Sequence, residues 1–176
     1  MEGMADLLYL ESGIERHYGF GDLTLGLQYA DEDYSEGKAQ VWGLRGEVGL
    51  PWGLSLSTAY NKTLSTHDMS ADNFFGGGPY FSSSQNLTIA EAGPDGQALM
   101  ATVSLDGAAG ITGSYLEVAV LHIEGDGGIK ADEVDTVVGY EAGEDLTFDL
   151  IYSDIKDRKE SSNSFKNLRF FANYQF

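Results

Sequence analysis

The chain has 176 residues, with 28 Asp and Glu against 10 Lys and Arg and a formal net charge of −18. That acidity argues against a nucleic-acid partner, whose phosphates need cations to neutralise them, and the absence of cysteine excludes disulfides, thiolate metal sites and a cysteine nucleophile. With 23 Gly, 12% aromatics and only 3 Pro the composition favours strands and tight turns, and no run approaches the roughly 20 apolar residues of a membrane-spanning helix.

Alternation of apolar and polar residues marks about nine strands and no convincing helix. The first, at 5–17, is the least regular. It follows an amino terminus, Met1-Glu-Gly-Met-Ala-Asp, without the basic and apolar regions of a secretory signal, so an exported protein has lost its signal or is longer than this chain. After a turn at 19–22, Leu23, Leu25, Leu27 and Tyr29 share one face and Thr24, Gly26, Gln28 and Ala30 the other. A polar loop is expected at 31–37. Residues 38–50 then set Trp42, Leu44 and Val48 against Val41, Arg45 and Glu47, and a tight reversal at 51–53 leads into the strand at 54–63.

Residues 65–96 form the longest irregular stretch, rich in Gly, Ser, Asn and Asp, and a loop of that size is usually functional or disordered. Strands follow at 97–105, 115–123, 133–141 and 146–153, separated by 107–110, 124–130 and 142–145, and a charged loop at 156–165 precedes the last strand. In that strand Leu168, Phe170, Ala172, Tyr174 and Phe176 lie opposite Arg169, Phe171, Asn173 and Gln175. Counted back from the carboxyl terminus, long polar intervals alternate with short turns, as in an outer-membrane barrel whose carboxyl terminus is periplasmic.

The faces opposite the apolar stripes carry mostly small, uncharged residues (Ser55, Ser57, Thr102, Ser104, Thr147), which suits a watery lumen better than the Lys- and Glu-rich exterior of a soluble sheet. Tyr29, Tyr60, Tyr140, Tyr152 and Tyr174 sit near strand ends, where interfacial girdles belong. The expected fold class is all-β: an antiparallel transmembrane β-barrel of 8–9 strands, or half of a larger one, occupying residues 1–176 as a single outer-membrane domain.

The closing Tyr174-Gln-Phe176 resembles the carboxyl-terminal assembly signal of outer-membrane proteins, with Phe171 standing where that pattern prefers Gly. The stretch Asp72-Asn-Phe-Phe-Gly-Gly-Gly-Pro-Tyr-Phe-Ser-Ser-Ser-Gln-Asn-Leu-Thr-Ile89 resembles a long loop of the OprD-like, epsilon-proteobacterial major outer-membrane porins. That resemblance implies a general diffusion channel of about eighteen strands, usually trimeric, inserted by the barrel-assembly machinery into outer-membrane lipid and passing ions and small solutes. Nine strands depart from eighteen, which makes the chain a carboxyl-terminal half, or one that needs a partner to close. If the first segment is not a strand, eight could close alone.

No enzyme motif is present. Gly76-Gly-Gly78 lacks the lysine and helix of a phosphate loop, Ser82-Ser-Ser84 lies near no nucleophile elbow, and His17, His67 and His122 have no metal spacing. Acidic clusters at Asp31/Glu32/Asp33, Glu124/Asp126 and Asp132/Glu133 could offer oxygens to Ca²⁺, although none has EF-hand spacing; no other cofactor is expected. Polar-face charges make Arg45, Glu47, Asp135, Asp149 and Arg169 the candidate pore lining, with Arg45 and Glu47 neutralising each other as the alternative. Asp72, Asn73, Tyr80 and Phe81 would narrow the opening if the long loop folds inward. The expectation is a non-enzymatic porin with a weak cation preference. The alternatives are a small closed barrel with a structural or adhesive role, or a soluble periplasmic all-β binding protein.

Overall fold

The computed structural model describes residues 6–72, 79–143 and 145–175. Their regular structure is one nine-stranded antiparallel sheet in sequential order: β1 (Asp6–Tyr18), β2 (Gly21–Tyr34), β3 (Gly37–Gly49), β4 (Leu54–Ser65), β5 (Gln97–Asp106), β6 (Ser114–Glu124), β7 (Ala131–Glu141), β8 (Leu146–Asp157) and β9 (Phe165–Tyr174). The irregular first segment is a full strand, paired with β2 from Asp6↔Asp33 to Tyr18↔Gly21. There are thus nine strands, and β1 and β9 are not paired with each other, so the sheet does not close as an eight-stranded barrel.

The two faces differ sharply. Leu27, Trp42, Leu44, Leu99, Val120, Val138, Phe170 and Tyr174 project from one face and are exposed, forming an apolar band across the sheet. On β4–β9 the charged residues of that face (Lys62, Glu124, Asp132, Asp154, Lys156 and Lys166) all lie toward the end where the 66–96 loop emerges. The opposite face carries Gln28, Glu32, Asn61, Thr63, Glu133, Asp135 and Ser153, all buried, together with Ala30, Val41, Leu121 and Ile123.

One expectation fails at the hairpin ends. Residues 31–37 are not a long loop: β2 continues through Asp31, Glu32 and Asp33 to Tyr34 and reverses on 35–36. Strand alternation puts Asp33 on the outward face, paired with Lys38 across the hairpin, while Glu32 turns inward. Likewise β8 runs to Asp157, with Asp154 opposite and ion-paired to Lys166. Cross-strand pairing makes strand of sequences whose charge suggested loop. The contrast between long and short connections is correspondingly weaker than expected, resting mainly on 66–96.

Two inward glycines let strands separated by a third strand touch. Gly139 on β7 lies between Tyr115 on β6 and Asp149 on β8, and the Tyr115 hydroxyl donates to the Asp149 carboxylate above it. A Cβ at 139 would run into the Tyr115 ring. Gly139→Val is therefore expected to displace that ring and cost about 1–3 kcal/mol of stability, measured as a lowered unfolding midpoint by circular dichroism, with Gly19→Val at an uncrowded turn position as a comparison for crowding.

Candidate functional site

Residues 66–72 and 79–96 do not stand away from the sheet. They cross the inward face near its loop end, and side chains of the sheet bond their backbone, part of which is buried. On β2, Glu32 accepts the Asp72 N–H at 2.8 Å and the Tyr80 hydroxyl. Gln28 donates through Nε2 to the Pro79 carbonyl at 2.6 Å and receives the Phe81 N–H at 3.3 Å. On β4, Asn61 Oδ1 accepts both the Ser82 N–H at 2.9 Å and its hydroxyl at 2.8 Å.

Gln28 and Asn61 are themselves joined, Asn61 Nδ2 donating to Gln28 Oε1 at 2.8 Å. They belong to β2 and β4, and the residue between them on β3 is Gly43. A Cβ there would stand 2.5 Å from Asn61 Nδ2 and 2.8 Å from Gln28 Oε1, so only glycine permits the bridge.

Further along, Glu133 accepts the Ser84 hydroxyl, the Asn86 amide and the Leu87 N–H, and Asp135 Oδ2 accepts the Gln85 N–H at 3.2 Å. On β9, Asn167 donates to Asn86 Oδ1 at 3.0 Å and Arg169 to Gln85 Oε1 at 3.2 Å. The segment ends in a 3-10 turn, Ile89–Ala92, started by a capping box in which Thr88 and Glu91 bond each other's backbone. Its apolar side, Leu87, Ile89 and Ala92, is buried with Ala98, Leu121, Ile123, Ala131 and Ile155.

Arg45, Glu47, Asp135, Asp149 and Arg169 all project from the inward face, but in different settings. Asp135 is 2% exposed, beneath the loop. The Arg45 guanidinium lies 4.8 Å above the Phe81 ring, which packs against Gly26, and Arg45 forms no ion pair with Glu47. Glu47 lies between Thr24 and Ser57. Asp149 receives Tyr115 and, at 3.5 Å, Asn173. Tyr80 is buried, and that burial, reinforced by its bond to the Glu32 carboxylate, pushes its hydroxyl well above the usual tyrosine range, so it remains a donor. Asn73 and Phe176 lie outside the described residues; Tyr174 ends β9 on the outward face, exposed.

The acidic clusters at 31–33 and 132–133 split between the two faces, and Glu32 and Glu133 are engaged by the loop. Sequence reasoning passed over Gln28, Glu32, Asn61 and Glu133 as loop anchors. Their common signal is a long polar side chain on a face otherwise small or apolar. Among the described residues, Glu15, His17 and Asp22 bring three ligand atoms within 4.8 Å of one another at the turn end of β1 and β2, all of them exposed.

Asn61→Ala would leave the Ser82 N–H and hydroxyl without their acceptor, at about 1–3 kcal/mol for each buried group orphaned. It is expected to loosen residues 79–84 and speed their cleavage in limited proteolysis, while the sheet's circular dichroism stays unchanged. Gly43→Val should do the same by severing the bridge from within.

No protein-family model matches the chain, and no curated protein matches it. Solved structures do. It is similar to Pseudomonas aeruginosa OccK10 (OpdN) with a TM-score of 0.78 and 18% identity, over 97% of this chain and 52% of that one. For Pseudomonas aeruginosa OccK7 (OpdD) the values are 0.82 and 17%, over 99% and 48%. For a BenF-like porin from Pseudomonas fluorescens Pf-5 they are 0.79 and 15%, over 98% and 48%. The chain spans about half the length of these proteins and shares with them the fold of that half, a sequential antiparallel β-sheet.

Proposed function

We propose that the chain forms wall and constriction of a bacterial outer-membrane channel through which ions and small hydrophilic solutes diffuse, with a weak preference for cations. The observation that carries this reading is the pairing of an exposed apolar band on one face with a polar opposite face crossed by an anchored loop. Soluble monomers rarely leave so wide an apolar surface uncovered, whereas hydrocarbon outside and water inside suit both faces at once. Likeness to a porin over nearly the whole chain supports it.

The open edges set a rule for closure. Consecutive strands alternate in direction, so β1 and β9 run the same way. An antiparallel barrel therefore needs an odd number of further strands between them, from more chain or from a partner. A second copy inserted in the same sense would meet both edges parallel. This does not bear on trimer formation, which would use the outward face.

Among the inward carboxylates that the loop does not occupy, Glu11, Glu15, Glu47, Glu117 and Asp149 already outnumber Arg45 and Arg169 on that face, and this imbalance supports cation preference. In planar bilayers under a salt gradient the expected reversal potential has the cation-selective sign, and Glu47→Gln with Glu117→Gln should move it toward zero. An anion-selective sign would sink the selectivity claim, and partitioning of the protein into the aqueous phase without detergent would sink the channel itself. Val118→Arg, in the middle of the apolar band, is expected to cost about 2–4 kcal/mol in refolding into lipid vesicles, against little for Thr102→Arg on the inward face.

A further inference from the structure

Above the apolar band the outward face ends in a polar cavity of about 460 Å³ lined by Lys62, Asp95, Gln97, Glu124, Gly125, Asp126, Lys130 and Lys159. It gathers three of the chain's six lysines. Lys62, Gln97 and Glu124 enter from the outward faces of β4, β5 and β6, and the connections after β6 and β8 supply Lys130 and Lys159. The three ammonium groups are not equivalent. Lys130 is ion-paired with Glu124, which also accepts from Gln97 at 2.7 Å. Lys62 donates to the Asp95 carbonyl, and Lys159 to the carbonyls of Gly125 at 3.4 Å and Gly128 at 2.6 Å. Among the described residues neither Lys62 nor Lys159 forms an ion pair, whereas Lys38, Lys130, Lys166 and Arg158 all do.

Neutral carbonyls position an ammonium without cancelling its charge, so two cations are held in place at a rim of an otherwise strongly acidic chain. The carboxylates of Asp95 and Asp126 also line the cavity and oppose them, which favours a ligand carrying sugar hydroxyls as well as phosphate over a bare anion. Carboxylates and the Gln97 amide suit hydroxyls; the ammonium groups suit phosphate oxygens. The volume fits a headgroup, being within the usual range for small-molecule sites.

We infer that this rim cavity binds the phosphorylated sugar headgroup of a glycolipid in the surrounding outer leaflet. The site rests on the membrane reading proposed above, because its opening lies just beyond the apolar band. Binding of lipid A to the full chain in detergent micelles tests it, with dephosphorylated lipid A and inorganic phosphate as parallel probes. Lys62→Gln with Lys159→Gln is expected to weaken lipid A binding about tenfold, while Lys38→Gln with Lys156→Gln leaves it unchanged. Dephosphorylated lipid A should bind wild-type protein as weakly as lipid A binds the Lys62/Lys159 variant. Equal binding by both pairs of variants would overturn the site, and inorganic phosphate binding as tightly as the lipid would overturn the lipid as its ligand. Detergent-phase partitioning of the same samples separates these outcomes from failure of the membrane reading, since a protein that enters detergent yet does not discriminate the lipids refutes the site alone.

Discussion

A single hydrogen bond across a missing side chain underlies the interior. Gln28 and Asn61 stand on strands that are not neighbours, and they meet because Gly43 contributes no atom between them. Joined, they hold one stretch of the crossing segment, taking the Pro79 carbonyl, the Phe81 N–H and both donors of Ser82. Tyr115 and Asp149 repeat the arrangement over Gly139. Strand glycine normally weakens a sheet, and here the loss is set against contacts that any side chain would obstruct. The sheet is thereby tied across its strands by side chains as well as by its ladders.

The second constraint is that residues 66–72 and 79–96 are laid against a wall of side chains that buries part of their backbone. Each of their buried peptide groups needs a partner, and they have little secondary structure of their own to supply one. The wall answers with long acceptors spaced across it: Glu32 and Gln28 on β2, Asn61 on β4, Glu133 and Asp135 on β7. The segment's last stretch is anchored differently, by burying Ile89 and Ala92 against Leu121 and Ile123. Polar anchoring fixes the path, and apolar burial fixes the end from which β5 must start.

Strand number and the sorting of side chains between faces were legible in the sequence because both follow from period-two alternation, as in Leu23 through Tyr29. Boundaries were less so. The Asp-Glu-Asp run at 31–33 looks like solvated loop until Lys38 is seen across the hairpin from Asp33, and that pairing depends on register. The anchors were illegible for the same reason: nothing local in Gln28, Gly43 or Asn61 announces that they share one row. Arg45 was visible as an inward charge, but not its seat over Phe81, which requires the path of the loop.

Register also divides the acidic residues by role. The formal charge of −18 is not all displayed on the inward face: Glu32, Glu133 and Asp135 lie buried beneath the loop, and Asp33, Asp132 and Asp154 sit in ion pairs on the outward rim. On the channel reading proposed above, the carboxylates left to face an ion include Glu11, Glu15, Glu47, Glu117 and Asp149, against Arg45 and Arg169. Arg45 is further engaged by the Phe81 ring, so its position depends on the loop, and the loop's depends on the bridge over Gly43. On the proposed channel reading, the charge balance of the inward face and the integrity of one polar contact between β2 and β4 are therefore coupled: a loosened loop would uncover that face and release an arginine onto it together.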